Sequence, residues 1–269
     1  MKKNNFNKIG IICSSNNKES KSQKLQLISK YNFIDFGEVD YPNPSPCDLL
    51  IVLGGDGALL HLLHKFKDFK TPIYGINCGT VGFLMNSNKD DQNLIDLISN
   101  AKETTLYPLQ MNVTDNNGQT HSHYAINEVS LLRQLSMAAK IRIKVNDKIR
   151  LESLSCDGVL VSTPAGSTAY NLSLYGPIIP LGSQMLALTP ISPFRPRNWH
   201  GALLPSNARI EFEILESEQR KVSATADFIE VRNIKKVEIF ENRDLSFKIL
   251  FNNDHSLEEK IIREQFAGY

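Results

Sequence analysis

The chain has 269 residues, 41% of them hydrophobic and 22% charged, enough to bury one large core or two modest ones, which excludes a disordered tail or a disulfide-stapled miniprotein. The 30 basic residues against 29 acidic ones leave a formal net charge of +1, so no global field draws the chain to a nucleic-acid backbone or an anionic membrane, and neither partner is expected. No apolar run approaches the roughly 20 residues of a membrane helix, and the apolar patch Ile9 to Cys13 is too short for a signal-peptide core. Cys13, Cys47, Cys78 and Cys156 are scattered, without a C-x-x-C pair or ligand-spaced histidines, so a cytoplasmic protein with reduced, structural thiols is expected.

The first hundred residues alternate short apolar runs with helical segments, the pattern of parallel β-α units. Ile9 to Cys13 reads as a buried strand and Lys18 to Tyr31 as a helix carrying Leu25 and Ile28. Asp48 to Leu53 is the strongest strand signal; glycines end it, and Ala58 to Phe66 reads as a helix with Leu59, Leu62, Leu63 and Phe66 on one face. A strand over Ile73 to Ile76 leads into the glycine-rich stretch Asn77 to Phe83. From Tyr107 the period becomes alternating: Asn112 to Thr114 and His121 to Ser130 flank the turn Asp115-Asn116-Asn117-Gly118, a hairpin signal. Further strands are expected over Ile141 to Val145, Ile149 to Leu154, Gly158 to Ser162, Ala208 to Leu215, Val222 to Ala226 and Val237 to Phe240, and the polar segment Leu257 to Phe266 is helix-compatible. The expected architecture is an α/β N-terminal domain over residues 1–106 and a β-rich, sandwich-like C-terminal domain over 107–246, with the active site in the cleft between them. Residues 247–269 are expected to pack back on the first domain.

Gly54-Gly55-Asp56-Gly57 stands between a buried strand and a helix start, where glycines allow close backbone approach and the helix N-terminus favours phosphate. The alternative, a strand-to-helix turn in which Asp56 caps the helix, stays open on this motif alone. In Ser162 to Tyr170, Pro164 and Gly166 fix a turn and consecutive hydroxyls precede a helix, an array of donors suited to an anionic or ribosyl ligand. Neither loop matches the Walker or Rossmann glycine patterns. Between them lie Asn127-Glu128, able to read a purine edge and a vicinal diol, and Asp157-Gly158. His121-x-His123 offers two imidazoles without a third ligand, which favours a hairpin with exposed histidines over a metal site.

Together the glycine-flanked aspartate, the Asn-Glu pair and the Thr163 to Tyr170 loop, in that order, resemble the NAD kinase family over most of the chain, from Ile9 to about Glu241. Ile191 to Arg197, Leu203-Leu204-Pro205 and Ala226-Asp227 also look like the family's later segments. The resemblance implies transfer of the γ-phosphoryl of ATP to the 2′-hydroxyl of the adenosine ribose of NAD, with Mg²⁺ accompanying the ATP and no side-chain metal ligands assigned. It implies Asp56 as catalytic base and Gly54, Gly55 and Gly57 facing phosphates. The dinucleotide would meet Asp56, Gly57, His61, Phe83, Asn127, Glu128, Asp157, Thr168, Ala169, Tyr170, Ser173 and Thr189. A homodimer or homotetramer is implied as well.

The chain departs from the family pattern at three places: Ala58 for the common threonine, Ser155 where many members carry Arg or Lys, and Phe228 where a histidine is frequent. A solvated helix-face role for His61, beside His64, stays open. Two other functions are weighed against the kinase: a lipid kinase sharing the aspartate motif, which leaves the Asn127-Glu128 pair and the Thr163 to Tyr170 loop unexplained, and a non-catalytic dinucleotide sensor, against which Asp56 between its glycines argues.

Overall fold

The computed structural model describes residues 4–42, 45–67, 69–79, 82–87 and 93–252. They fall into two compact units, one taking the chain through Leu106 and again from Ser246, the other spanning Tyr107–Leu245. In the first, β1 (Ile9–Cys13) is followed by α1 (Lys18–Tyr31), β2 (Ile34–Glu38) and the two-residue β3 (Tyr41–Pro42). Then come β4 (Leu49–Gly54), α2 (Asp56–Lys65), β5 (Ile73–Asn77), α3 (Leu94–Asn100) and β6 (Lys102–Leu106). All six residues of β4 are buried, which is why it reads as an unbroken apolar run and not as an alternation. The side chain of Asn17 caps α1 by accepting from the Ser20 amide. The buried face of that helix is Ser20, Lys24 and Leu27, while Leu25, one of the two apolar residues that mark the helix in the sequence, is 65% exposed. Lys24 substitutes, its ammonium bonded to the Asp35 carboxylate and the Gly37 carbonyl while its stem covers apolar surface. α2 begins two residues before its apolar periodicity does, and it buries Leu59, Leu62 and Leu63; Phe66 is its half-buried C-cap.

The second unit runs through β7 (Leu109–Asp115), β8 (Thr120–Ala125), β9 (Glu128–Arg133), β10 (Ala139–Val145), β11 (Lys148–Cys156) and β12 (Gly158–Ser162). A 3₁₀ turn (Ala165–Thr168) and the single-turn α4 (Tyr170–Ser173) precede β13 (Met185–Ile191), β14 (Ala202–Pro205), β15 (Ile210–Ile214), β16 (Val222–Ala226), β17 (Ile229–Val231) and β18 (Ile234–Glu241). Two six-stranded sheets form, in the orders β11-β10-β15-β18-β7-β8 and β14-β13-β12-β9-β16-β17. Met111, Val113, Ile141, Ile143, Phe212 and Val237 from the first share one core with Leu131, Val159, Val161, Leu188 and Ala224 from the second. In β7 and β10 buried residues alternate strictly with half-buried ones, as a strand with one face on a core requires. The run His121 to Ser130, expected as one strand, is two. β8 ends at Ala125 in one sheet and β9 starts at Glu128 in the other, because the intervening amides are taken by a side chain from a distant turn, described below.

The chain then returns to the first unit as β19 (Phe247–Phe251), parallel to β5 and antiparallel to β6, which completes the order β3-β2-β1-β4-β5-β19-β6. β1 is parallel to β2 on one side and to β4 on the other, so the winding reverses between β1 and β4. Open α/β sheets take ligands beyond the carboxyl ends of the strands at such a switch point. The expected helix over Leu257 to Phe266 lies outside the described residues. Among the described residues, no helix is long and apolar enough to cross a membrane.

Candidate functional site

The carboxyl end of β4 at the switch point carries the Gly54 to Gly57 turn. The Ser14 amide donates to Leu53 O and the Cys78 amide to Gly54 O, so neighbouring loops are tied to this end of the sheet. A Cβ on Gly54 would stand 2.8 Å from the Ala58 methyl and 3.3 Å from Ser14 Cβ; packing inside the protein already demands glycine there. Gly55 and Gly57 differ, since a Cβ on either meets nothing within 4 Å. Their bareness answers to no neighbour among the described residues. Asp56 is the first residue of α2, and Gly55 in the cap position gives no side-chain cap bond. The Asp56 carboxylate instead accepts from the Phe83 amide at 2.8 Å and the Leu84 amide at 3.0 Å. It is half-buried, and the N-cap position belongs to Gly55. Phe83 enters this arrangement through its amide, and His61 is exposed on α2.

In the second unit the organising residue is Asp227, in the two-residue turn between β16 and β17, with φ of 53°. Aspartate tolerates that left-handed region better than most residues. Its carboxylate accepts from three successive amides, Ile126 at 2.7 Å, Asn127 at 2.9 Å and Glu128 at 3.3 Å, and this separates β8 from β9. The loop after β12 is laid on the same segment: the Thr163 amide donates to Asn127 O, and the Thr163 hydroxyl donates to Ile126 O. A Cβ on Gly166 would fall 2.2 Å from the Asn127 carbonyl oxygen, so only glycine lets the loop lie this close.

Two buried acceptors in this turn, Asn127 Oδ1 and Glu128 Oε2, have no hydrogen-bond partner among the described residues. Asn116 Oδ1 and Gln134 Nε2 are in the same state, and a buried polar atom of this kind is met by water or by a ligand. Burial, then the Asp227 carboxylate, pushes Glu128 up from 4.5 to about 8. Tyr170 is raised too, first by burial and then by the charges of Glu128 and Asp157. Asp157 itself is bound at Oδ1 by Arg133 Nε, while the Arg133 amide donates to Asp157 O.

Thr168 is buried, Ala169 half-buried and Ser173 exposed. Thr189 is 1% exposed and donates to Asn171 Oδ1, and Asn171 Nδ2 in turn binds Ser167 O and Pro177 O. The site residues expected from sequence thus collect into two groups, one in each unit. Sequence reasoning did not single out Arg133, Asn171 or the triple acceptor role of Asp227. Only the last left a local trace, an aspartate in a two-residue turn between alternating strands. His121 lies 3.1 Å from the Asp115 carboxylate. Among the described residues, no group of three or more His, Cys, Asp or Glu is placed to hold a metal ion.

A mostly parallel sheet with an oriented carboxylate at its switch point, joined in one chain to a β-rich unit with buried acceptors unpaired among the described residues, has the marks of a nucleotide-binding protein of two units. The ATP-NAD kinase N-terminal domain matches residues 1–104 and the ATP-NAD kinase C-terminal domain matches residues 126–235, so the chain belongs to the NAD kinase family. It is 49% identical to the NAD kinase of Rickettsia bellii and 48% identical to that of Rickettsia rickettsii, in each case over 265 residues, 98% of this chain and 100% of the relative. Among solved structures, yeast NADH kinase complexed with NADH has a TM-score of 0.84 at 21% identity, covering 98% of this chain and 89% of that one. An NAD kinase from Archaeoglobus fulgidus in complex with ATP has a TM-score of 0.75 at 21% identity, covering 97% and 100%. Both share the fold of this chain.

Proposed function

We infer that the chain transfers the γ-phosphoryl of ATP to the 2′-hydroxyl of the adenosine ribose of NAD, releasing NADP. The observation that carries this reading is the Asn127-Glu128 turn with its two unpaired buried acceptors. A purine amino group and ribose hydroxyls are the donors that a dinucleotide brings to such acceptors. Near-full-length likeness to the Rickettsia NAD kinases supports the same function.

In this reading Asp56 accepts the proton of the 2′-hydroxyl, a step worth about 10²- to 10⁴-fold in rate. The Phe83 and Leu84 amides keep its carboxylate aimed. Phosphoryl transfer is otherwise governed by placement and charge stabilisation. Gly55 and Gly57 leave room for phosphate oxygens to approach backbone amides at the start of α2, and Gly54 lets α2 sit close to β4. Magnesium enters as part of the MgATP substrate and offsets phosphate charge. Asn127 reads the adenine and Glu128 the ribose hydroxyls; Thr168, Ala169 and Tyr170 wall the adenosine. Asp157, held by Arg133, and Ser173 meet the other half of the dinucleotide, with Phe83, His61 and Thr189 completing the NAD contacts. The proposed setting is the cytoplasm and the proposed assembly a homodimer or homotetramer, the assembly being checked by light scattering on the purified chain.

The functional test is NADP formation from NAD, ATP and Mg²⁺ by the purified chain, with Asp56→Asn as control. Turnover by the wild type and its loss in the variant are expected. Measurable NAD binding without turnover would favour the sensor reading, and undiminished turnover in the variant would remove Asp56 from the base role.

A further inference from the structure

We propose that Asn86 is a positioning residue for the Asp56 carboxylate, acting through the backbone of residues 83–86. β5 and β19 pair as strands only at Ile73 and Ile249. Beyond that pair Asn86 enters between them, forming a parallel bridge with Ile76. Its backbone amide donates to Gly75 O and its carbonyl accepts from the Asn77 amide, both at 2.8 Å. Its side chain completes the join: Nδ2 donates to Gly75 O at 3.0 Å and to Leu250 O at 2.8 Å, while Oδ1 accepts from the Asn252 amide at 2.9 Å. One primary amide thus supplies donors to both strands and an acceptor to one, and it does so at 1% exposure. No other side chain of its size offers that combination.

The consequence for the site lies two and three residues upstream. Met85 is fully buried with its sulfur over Gly75, where a Cβ would come within 2.5 Å of it. The segment is therefore fixed to β5 and β19 at Met85 and Asn86. Leu84, itself 2% exposed, and Phe83 are the residues whose amides hold Asp56. Two N–H vectors orient a carboxylate only as well as their own backbone is held. Asn86 thereby links the returning strand β19 to the aim of Asp56.

The proposal rests on the reading of Asp56 as the group that orients or deprotonates the 2′-hydroxyl, and its test separates the two. Asn86→Asp keeps size and acceptor and removes both donors. In the full chain, with NADP formation followed across NAD and ATP concentrations, kcat should fall about 10- to 100-fold, the range that misplacement of a reacting group by about an ångström produces. KM for each substrate should stay within about threefold, since neither binds Asn86. In an Asp56→Asn background the same substitution should change the residual rate by less than about twofold, because residues acting as one unit are not additive. Tyr74→Phe serves as the packing control. It cuts the Tyr74 hydroxyl bond to Asn252 Oδ1, in the same buried network, without touching a bond of Asn86, and should leave kcat within about twofold of wild type. An unchanged kcat in folded Asn86→Asp, an equal loss with and without the Asp56 carboxylate, or an equal loss in Tyr74→Phe would each overturn the proposal. Full turnover in Asp56→Asn would overturn the role of Asp56 on which it stands. If Asn86→Asp does not fold, Asn86→Ser takes its place in the same cycle.

Discussion

Glutamine in place of Glu128 should stabilise the second unit, and more so as the solution becomes alkaline. Burial and then the Asp227 carboxylate raise this carboxyl from 4.5 to about 8, so the folded protein holds the proton more tightly than the unfolded chain. The stability tied to that proton is fully present below the unfolded value, declines as pH rises past it, and is gone once pH has risen through about 8. At about 1.4 kcal/mol per pH unit, full ionisation of the wild type costs about 5 kcal/mol. Solvent reaching the half-buried residue reduces this, leaving about 2 to 4 kcal/mol between about pH 5 and about pH 8. Glutamine has nearly the same shape and nothing to ionise. The advantage of Glu128→Gln over wild type should therefore be small near pH 5 and grow to that size near pH 8. Urea unfolding followed by tryptophan fluorescence measures it in the correct unit, since Trp199 is the single tryptophan and packs against the second unit's core. Parallel pH dependence of the two proteins would refute the assignment of a buried, proton-holding carboxyl. The same variant should bind NAD less well, a gain in stability accompanied by a loss of function.

NAD binding near pH 7 should release close to one proton, because ribose hydroxyls donate best to an ionised Glu128; calorimetry in buffers of different ionisation enthalpy measures this, and no release would refute it. Gly55→Ala and Gly57→Ala should keep wild-type thermal stability, with Gly57→Ala gaining up to about 1 kcal/mol as a helical alanine, yet lose at least about tenfold in kcat/KM for ATP as phosphate approach is blocked. Gly54→Ala should instead lose about 1 to 3 kcal/mol of stability against Ala58, and melting curves beside kinetics separate the cases. Arg133→Met should raise KM for NAD several-fold and leave KM for ATP unchanged, and in combination with Asp157→Asn the effects should not add; an additive pair would uncouple the two residues.

The elements most legible in the sequence are those whose signal is local. β1, β4 and β5 are short apolar runs, β4 being stopped by the Gly54-Gly55 turn, and β7, β10 and β15 alternate. β2 breaks its pattern with Asp35 and Gly37, the latter at φ of 78°, and α3 buries only Leu94 and Ile98, too few for a periodicity to emerge. β19 is not among the strands expected from the sequence, and its pairing beside residue 73 is one that no local signal announces. The site divides in the same way. Asp56, Asn127, Glu128 and the Thr163 to Tyr170 loop carry chemistry recognisable by residue type and order. What holds them is remote: Asp227 acts on residues about a hundred positions earlier, and Phe83 and Leu84 lie 27 and 28 positions from Asp56. Long-range hydrogen bonds to backbone leave almost no constraint on the sequence of the receiving residue, so they cannot be read from it.

The near-zero net charge acquires a more specific meaning once the side chains are placed. The carboxylates proposed to meet the two substrates are Asp56, Glu128 and Asp157, with Asp227 behind Glu128, and Arg133 is occupied by Asp157. Both substrates are anions, so a fully ionised set of this kind would oppose them. The structure moderates the opposition by different means at each carboxylate: two amides on Asp56, a guanidinium on Asp157, three amides on Asp227. Glu128 receives no such partner at Oε2 and is instead kept protonated at neutral pH by burial. In the proposed role the neutral carboxyl adds no charge against an approaching anionic dinucleotide, and in the complex the hydrogen bonds from the ribose hydroxyls have to offset both the cost of ionising it and its repulsion of the anion. A proton released on binding NAD would be the measurable trace of that exchange.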